Sequence, residues 1–299
     1  MAGKSPLQGK TSVITGATSG IGLASMVALA KEGAYVIGVG RLAEHGLEAV
    51  KKVNASCPSA QMDTLVAELS LQSRVRQLAA DIRARLEEKG VKCLDVLVNN
   101  AGIYSGKKVR TEEGIELMLA VNHIAPFLLT HELIPLLMAS PCGRVITVSS
   151  ASHHRGRLHL KRLNNPLIYF GLWRYEVTKL ANVLFTYELN RRLAHTSIRA
   201  FAVDPGLVNT DIGMKHTGSL ANLVWKYRRQ KGARPEVPAR TVAFLSREEA
   251  LQNANQYYWR DCKPKEPSRL ALQEDAARDL WNVTSRLCGI YPEWIPAEG

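Results

Sequence analysis

The sequence predicts an α/β fold with a doubly wound parallel sheet of about seven strands and helices on both faces. Three observations lead to this prediction. Short β-rich runs alternate with helical stretches, a glycine-rich turn follows the first run, and no repeat or linker divides the chain. Strands that alternate with helices form parallel sheets through right-handed crossovers. We therefore expect a single domain over residues 1–299.

Hydrophobic periodicity and turn residues place the individual elements. The predicted strands are Thr11–Thr15, Tyr35–Gly40, Met62–Ala67, Leu94–Asn99, Arg144–Val148, Ile198–Val203 and Gln256–Tyr258. The predicted helices are a run ending near Glu32, Ala43–Ser56, Arg74–Lys89, two segments within Thr111–Met138, Tyr169–Leu193, Pro238–Leu245 and Glu274–Leu287.

Composition narrows the class of protein. Hydrophobic residues make up 46% and charged residues 22% of the chain, as in globular proteins. The apolar run 117–138 is broken by Asn122, His123, Glu132 and prolines, so we predict a core helix rather than a membrane span. The five cysteines are odd in number and widely spaced, which predicts reduced thiols. We expect a cytoplasmic protein without a signal or transmembrane segment.

Residues 15–22, TGATSGIG, join the first predicted strand to the first predicted helix. Glycines let a diphosphate approach the backbone, and a helix N-terminus offers free N–H groups and a positive dipole end. A tight strand–helix connection without a ligand is the alternative. The predicted phosphate-binding residues are Gly16, Thr18, Ser19, Gly20, Ile21 and Gly22.

The second predicted strand ends in Gly40-Arg41. Dinucleotide folds that bind a free ribose 2′-hydroxyl place an acidic residue here. Arg41 would instead attract a 2′-phosphate, through a charge-assisted hydrogen bond of about 1.5–3 kcal/mol. The sequence therefore favours NADP(H) over NAD(H), unless Arg41 is simply a solvated surface residue.

Tyr175 and Lys179 lie four residues apart in a predicted helix and so share one face. An ammonium near a phenol favours the phenolate, which would allow proton exchange closer to neutral pH. A YxxxK spacing alone is common and carries little weight. Small or polar residues also follow three predicted strands, at 99–102, 149–150 and 204–206, and these strand ends share one sheet edge.

Together the motifs resemble those of the short-chain dehydrogenase/reductase family. They are TGATSGIG (15–22), NNAG (99–102), Asn122, SS (149–150), YxxxK (175–179) and DPGxxxT (204–210), in the family's order. VNHIAPFLLT (121–130) and TKLANVLFTYEL (178–189) resemble its retinol dehydrogenase-like branch. Thr178 departs from the usual serine, and we expect no hydrophobic N-terminal anchor of the kind that many members of this branch carry.

The resemblance implies a Rossmann-type fold and an NADP(H)-dependent oxidoreductase that interconverts an apolar alcohol and its aldehyde or ketone. It implies that Tyr175 is the acid/base and that Ser150, rather than Ser149, orients the substrate. Lys179 would hold the nicotinamide ribose and lower the pKa of Tyr175, and Asn122 would open a helix for a relay water. The further cofactor contacts that it implies are Glu68, Leu69, Asn99, Ala101, Gly102, Pro205, Gly206, Val208 and Thr210.

Two other functions fit the sequence less well. A catalytically idle NADP-binding scaffold or sensor would have no need of Tyr175. Epimerases and dehydratases of the same fold usually carry a larger C-terminal substrate domain than this chain can hold. The surrounding arginines and lysines argue against a metal site at His153, His154 and His159, which we expect to edge the substrate pocket or to be solvated.

The resemblance implies that the segment 206–240 covers the substrate. Its part 213–240 holds seven Lys or Arg residues and one acidic residue. The resulting charge of +6 is half of the net charge of +12 of the whole chain. A solvated lid, a peripheral contact with an anionic membrane, and nucleic-acid binding are the three interpretations, of which the last lacks any known module. We expect no nucleic-acid partner and leave homo-oligomer formation open.

Overall fold

A central eight-stranded sheet organises the protein, which we describe from a computed structural model covering residues 5–208 and 232–290. The strand order is β3-β2-β1-β4-β5-β6-β7-β8, so the winding direction reverses between β1 and β4. Strands β1 to β7 pair in parallel and β8 pairs antiparallel with β7. The strands are β1 (Thr11–Thr15), β2 (Tyr35–Gly40), β3 (Gln61–Val66), β4 (Val96–Asn99), β5 (Arg144–Val148), β6 (Arg199–Val203), β7 (Tyr258–Arg260) and β8 (Lys263–Pro264).

Helices cover both faces of this sheet, as the sequence predicts. Helices α3, α4, α5 and α7 share one hydrophobic cluster, and α1, α2 and α6 share the other. The helices are α1 (Gly20–Lys31), α2 (Ala43–Ser56), α3 (Gln72–Glu88), α4 (Leu117–Met138), α5 (Gly171–Arg192), α6 (Glu236–Arg247) and α7 (Glu274–Leu287).

The alternation of strand side chains builds the two cores. Val13 and Leu97 point into the cluster with α4 and α5, whereas Ile14 and Val98 point into the cluster with α1 and α6. All four side chains are fully buried. Because successive residues of a strand face opposite sides, a continuous apolar run is what a strand covered on both faces requires.

Helix α4 is the long apolar helix of the fold. By length and composition it could cross a membrane, but 83% of its most apolar window is buried inside the protein. Phe127 packs against Phe185 of α5 at 5.6 Å and against Trp281 of α7 at 4.9 Å between ring centroids. The helix therefore packs as a core element of the domain.

The structure differs from the prediction at several element ends. The seventh strand lies two residues later than predicted, because Tyr258 and Trp259 are the residues that pair with β6. An eighth, antiparallel strand follows a turn in which Asp261 and Cys262 have positive φ values of 52° and 57°. The two segments predicted within 111–138 form one helix that starts late, since the Glu116 carboxylate caps its first N–H groups.

Candidate active site

The carboxyl ends of β1, β4, β5 and β6 meet at one sheet edge around a cleft of about 430 Å³. This is where the strand order reverses, the position at which doubly wound sheets bind their ligands. Most of the residues predicted from the sequence lie together here. Those that line the cleft are Gly16, Thr18, Ser19, Gly20, Ile21, Arg41, Glu68, Leu69, Ala101, Gly102, Ser149, Ser150, Tyr175, Lys179, Pro205, Gly206 and Val208.

The loop between β1 and α1, residues 16–19, is shaped to receive an anion, and we call it the phosphate loop. Gly16 and Gly20 have positive φ values of 66° and 54°, which glycine adopts without strain. Ser19 is extended and its side chain does not cap α1, so the first N–H groups of the helix remain for a ligand. A Cβ atom on Gly22 would lie 2.1 Å from the Gly16 carbonyl oxygen, so Gly22 allows this close helix start. The loop fits a dinucleotide diphosphate.

The two asparagines at the end of β4 take different positions. The Asn99 side chain points away from the cleft and donates to Thr130 Oγ1 of α4 at 3.0 Å. Asn100 lines the cleft instead, and its Nδ2 donates to the carbonyl oxygens of Thr15 at 2.8 Å and Gly16 at 3.2 Å. Asn99 therefore lies outside the residues that line the cleft, whereas Asn100 fixes the phosphate loop to the end of β4.

Arg41 follows β2 and is exposed at the cleft. Among the residues that the structure describes, its guanidinium has no ion-pair partner. Glu68 lines the same cleft, and its carboxylate accepts the backbone N–H of Ser70 at 3.0 Å. Arg41 is thus available to a phosphate group on an adenosine ribose.

Tyr175 and Lys179 lie on one face of α5 and point into the same cleft. The Lys179 ammonium lies 5.5 Å from the centroid of the Tyr175 ring and donates to the Val148 carbonyl oxygen at 2.9 Å. Both side chains are buried, with 9% and 2% of the residue exposed. A phenol and an ammonium thus share an enclosed site at the end of β5.

The titration of this pair is set mainly by burial. Burial raises the pKa of the Tyr175 phenol, and the Asp204 carboxylate raises it further. Burial also lowers the pKa of Lys179 to about 8, because the ammonium is desolvated. The pKa of Tyr175 is therefore raised in this structure, whereas the resemblance implies that Lys179 lowers it.

The lowered pKa of Lys179 predicts a pH-dependent gain in stability for Lys179→Met. Between pH 8 and 10.5 the unfolded chain holds the lysine proton and the folded chain does not, so stability of the wild type rises with pH. At pH 7 the buried ammonium opposes folding, and the variant is expected to be more stable by on the order of 3 kcal/mol. Urea unfolding without added cofactor measures this difference.

Exposed Lys52 on α2 provides the control, since Lys52→Met should change stability little at any pH. The advantage of Lys179→Met should shrink as the pH approaches 10.5. A Lys179→Met variant that is less stable than the wild type by the same amount at pH 7 and at pH 10.5 would contradict the lowered pKa of Lys179.

Asn122 joins the loop after β4 to helix α5. It lies in a π-helical turn of α4, Ala120–Ile124, and is completely buried. Its side chain accepts the Ile103 N–H at 2.8 Å and donates to the Ile103 carbonyl at 3.0 Å and to Thr178 Oγ1 at 3.1 Å. Turns of this type are frequent at functional sites. Thr178, the departure from the family's serine, takes part in this link through its hydroxyl.

Asp204 fixes the turn that follows β5 at Ser149 and Ser150, which we call the serine turn. The sequence did not reveal this role. Asp204 Oδ1 accepts the N–H groups of Ala151 at 3.1 Å and Gly206 at 2.9 Å. The turn that starts at Ser150 and the loop that holds Pro205 are thereby joined through one carboxylate. Ser149 is directed elsewhere, since its hydroxyl donates to the Lys179 carbonyl at 2.8 Å.

His153 is buried beneath this turn rather than solvated or at the pocket edge. Its Nε2 accepts the backbone N–H of Ser268 at 3.0 Å, so Nδ1 carries the proton and donates to the Ser150 carbonyl at 2.8 Å. Burial lowers the pKa of His153 to about 4, which keeps the ring neutral. His154 and His159 are exposed, in agreement with solvation.

A buried ion pair supports the same region. The Glu116 carboxylate accepts Nε of Arg174 at 2.5 Å, and the two side chains are 0% and 5% exposed. The same carboxylate accepts the N–H groups of Met118 and Leu119 at 3.0 Å. Glu116 thus joins the start of α4 to the residue that precedes Tyr175, and neither charge was singled out in the sequence.

Some predicted features fall outside the described residues. Thr210 and most of the basic segment 213–240 belong to 209–231. Within 5–208 and 232–290, no group of three or more His, Cys, Asp or Glu side chains is placed to hold a metal ion.

The phosphate loop at the reversal point and the buried Tyr175–Lys179 pair define a class of dinucleotide-dependent oxidoreductases. The short chain dehydrogenase family profile matches residues 10–219. This chain therefore belongs to the short-chain dehydrogenase/reductase family.

Similar proteins indicate the branch of the family to which this chain is most alike. Dehydrogenase/reductase SDR family member 13 of Homo sapiens is 36% identical, with 97% of this chain and 76% of the relative covered. Retinol dehydrogenase 14 of Homo sapiens is 34% identical, with 95% and 88% covered. Among solved structures, the landomycin C-6 ketoreductase LanV with bound NADP and rabelomycin is 27% identical, with a TM-score of 0.65 and coverage of 86% and 96%. The chain is thus a retinol dehydrogenase-like member of its family.

Proposed function

We propose that this protein is an NADP(H)-dependent oxidoreductase that interconverts an apolar alcohol and its aldehyde or ketone, with Tyr175 as the acid/base. The observation that carries this proposal is the cleft itself. It brings the phosphate loop, the Arg41 guanidinium and the buried Tyr175–Lys179 pair to one sheet edge.

The residues fit a nicotinamide dinucleotide, which when bound would supply or accept the hydride. The helix N-terminus at Gly20 would hold its diphosphate, and Arg41 its 2′-phosphate. The backbone at Pro205 and Val208 would face the nicotinamide end. Enclosure by the buried walls of the cleft would exclude water from the reacting atoms.

Tyr175 would move the proton. Its raised pKa keeps the phenol protonated at neutral pH, so it is poised to donate that proton to a carbonyl oxygen in the reductive direction. Ser150 would hydrogen-bond the same oxygen. Lys179 would favour the phenolate that remains, and Asn122 would keep the Ile103 loop in register with the catalytic helix.

The preference for NADP(H) rests on Arg41. Arg41→Glu is expected to raise the KM for NADPH about 10–100-fold, since a charge-assisted hydrogen bond is lost and repulsion replaces it. The KM for NADH should fall or stay unchanged. Lys51→Glu reverses the same charge on exposed α2 and is the control. Equal effects on NADPH and NADH would contradict the role of Arg41.

An apolar substrate is supported by the cleft wall and by the relatives. Ile103, Tyr104, Leu117 and Val121 line the cleft, and the Tyr104 ring lies edge-on to that of Tyr175 at 6.1 Å. Several similar proteins are named retinol dehydrogenases. A panel of apolar aldehydes and ketones, with NADPH oxidation as the readout, tests this substrate class.

A catalytically idle NADP-binding protein is the second candidate. The complete set of Asn122, Ser150, Tyr175 and Lys179 argues against it, because binding alone needs no buried acid/base. NADPH binding without turnover across the panel would favour this candidate.

A further inference from the structure

Four large apolar side chains are exposed together just before and within the first turn of α5. Leu167 is 80%, Ile168 79%, Phe170 53% and Trp173 61% exposed. We call these four residues the apolar tip. Isolated exposed apolar residues are ordinary, but a contiguous group of this size marks an interaction site. The apolar tip therefore needs a partner of matching chemistry.

A groove of about 1650 Å³ lies next to the apolar tip. Leucines from the segment before α5, including Leu158 and Leu160, line it. Leu172 and Val177 of α5 line it as well. The groove continues the exposed apolar surface into the protein, so an apolar partner could contact far more than the four side chains.

The segment that carries the apolar tip is held in place. The Lys108 ammonium donates to Asn165 Oδ1 at 2.8 Å and to the Pro166 carbonyl at 3.3 Å. Tyr169, between the exposed residues, donates to the Ser105 carbonyl at 3.3 Å. Because the backbone is already ordered, docking would lose little conformational entropy.

The rim of the groove is cationic. Arg157, Lys161 and Arg162 are exposed along it, and none has an ion-pair partner within 5–208 or 232–290. Of the acidic residues at the groove, Glu176 is already paired with Arg155 at 2.6 Å, which leaves Asp279. The rim thus favours an anionic partner.

We propose that the apolar tip and this cationic rim dock the protein on an anionic phospholipid bilayer. Aromatic and aliphatic side chains insert at the boundary between headgroups and acyl chains, while Lys and Arg contact the phosphates. Each such cation contributes about 1 kcal/mol, or roughly fivefold in affinity, near an anionic membrane surface. The net charge of +12 acts in the same direction.

The docking surface adjoins the active site. Gly171, at the start of α5, packs so closely on the Ser105 carbonyl and on Tyr104 that an added Cβ would lie 2.5 Å from that oxygen. Tyr104 in turn contacts Tyr175. This part of the inference rests on the proposed function, since an apolar substrate could then pass between the bilayer and the cleft.

Sedimentation of the full chain with vesicles tests the proposal, using phosphatidylcholine alone or with added phosphatidylserine. Leu167→Gln combined with Ile168→Gln is expected to weaken binding at least about tenfold. Removing the three rim cations by Arg157→Gln, Lys161→Gln and Arg162→Gln should weaken binding only where phosphatidylserine is present. Leu47→Gln and Lys52→Gln on exposed α2 are the matched controls and should bind as the wild type does.

Unchanged binding of the tip variant would overturn the proposal. So would binding that is lost in Arg228→Gln with Arg229→Gln but kept in the tip variant, because the contact would then lie in 213–240. A wild type that ignores vesicles and self-associates through this face would also overturn it. NADPH oxidation with a short water-soluble aldehyde should persist in the tip variants, so failure of the proposed function would be seen separately.

Discussion

Tyr175→Phe is expected to lower kcat for the NADPH-dependent reduction by about 10²–10⁴-fold, the usual contribution of a positioned acid or base. The ring and its contact with Tyr104 remain, so NADPH affinity should stay close to that of the wild type. Steady-state kinetics and fluorescence titration of NADPH measure the two effects separately.

Tyr187→Phe is the control for this change. Tyr187 lies further along the same helix and packs against Tyr257, so loss of its hydroxyl should leave kcat unaffected. Turnover that survives in Tyr175→Phe would remove Tyr175 from the mechanism. A parallel loss of NADPH affinity would instead indicate that the phenol serves binding.

Glu116→Gln is expected to destabilise the protein by about 3–5 kcal/mol, because the buried Arg174 guanidinium loses its counter-charge. Arg174 Nη2 already has no hydrogen-bond partner among the described residues, so the carboxylate is its main compensation. Urea unfolding of the variant and the wild type measures the change in the free energy of unfolding.

Two further variants make this prediction specific. Arg174→Met should be less damaging, since the carboxylate keeps the N–H groups of Met118 and Leu119. Asp275→Asn breaks an exposed pair with Arg278 and should change stability by less than about 1 kcal/mol. A Glu116→Gln variant no less stable than Asp275→Asn would show that the buried pair contributes little.

Local patterns allowed much of the fold to be predicted. A strand covered on both faces is a short apolar run, and TGATSGIG can follow such a strand only as a tight turn into a helix. The alternation of side chains along a strand could also have shown that the two asparagines at the end of β4 face different sides of the sheet. Asn99 lies two residues after Leu97, so it faces α4, and Asn100 faces the cleft.

The features that the sequence did not reveal depend on contacts between distant parts of the chain. His153 is buried where the backbone N–H of Ser268, 115 residues further along the chain, donates to its ring. Asp204 controls the serine turn from a different strand. Burial and the Asp204 carboxylate raise the pKa of Tyr175, and neither influence can be read from YxxxK spacing.

The most direct test of hydride transfer to an apolar carbonyl uses NADPH carrying deuterium at both C4 positions. The purified protein is incubated with this NADPH and the best aldehyde of the panel, and the alcohol is examined by mass spectrometry. We expect one deuterium on the carbinol carbon with the wild type and almost no labelled alcohol with Tyr175→Phe. NADPH that binds without labelling any product would contradict the proposed reaction and favour the idle binding protein.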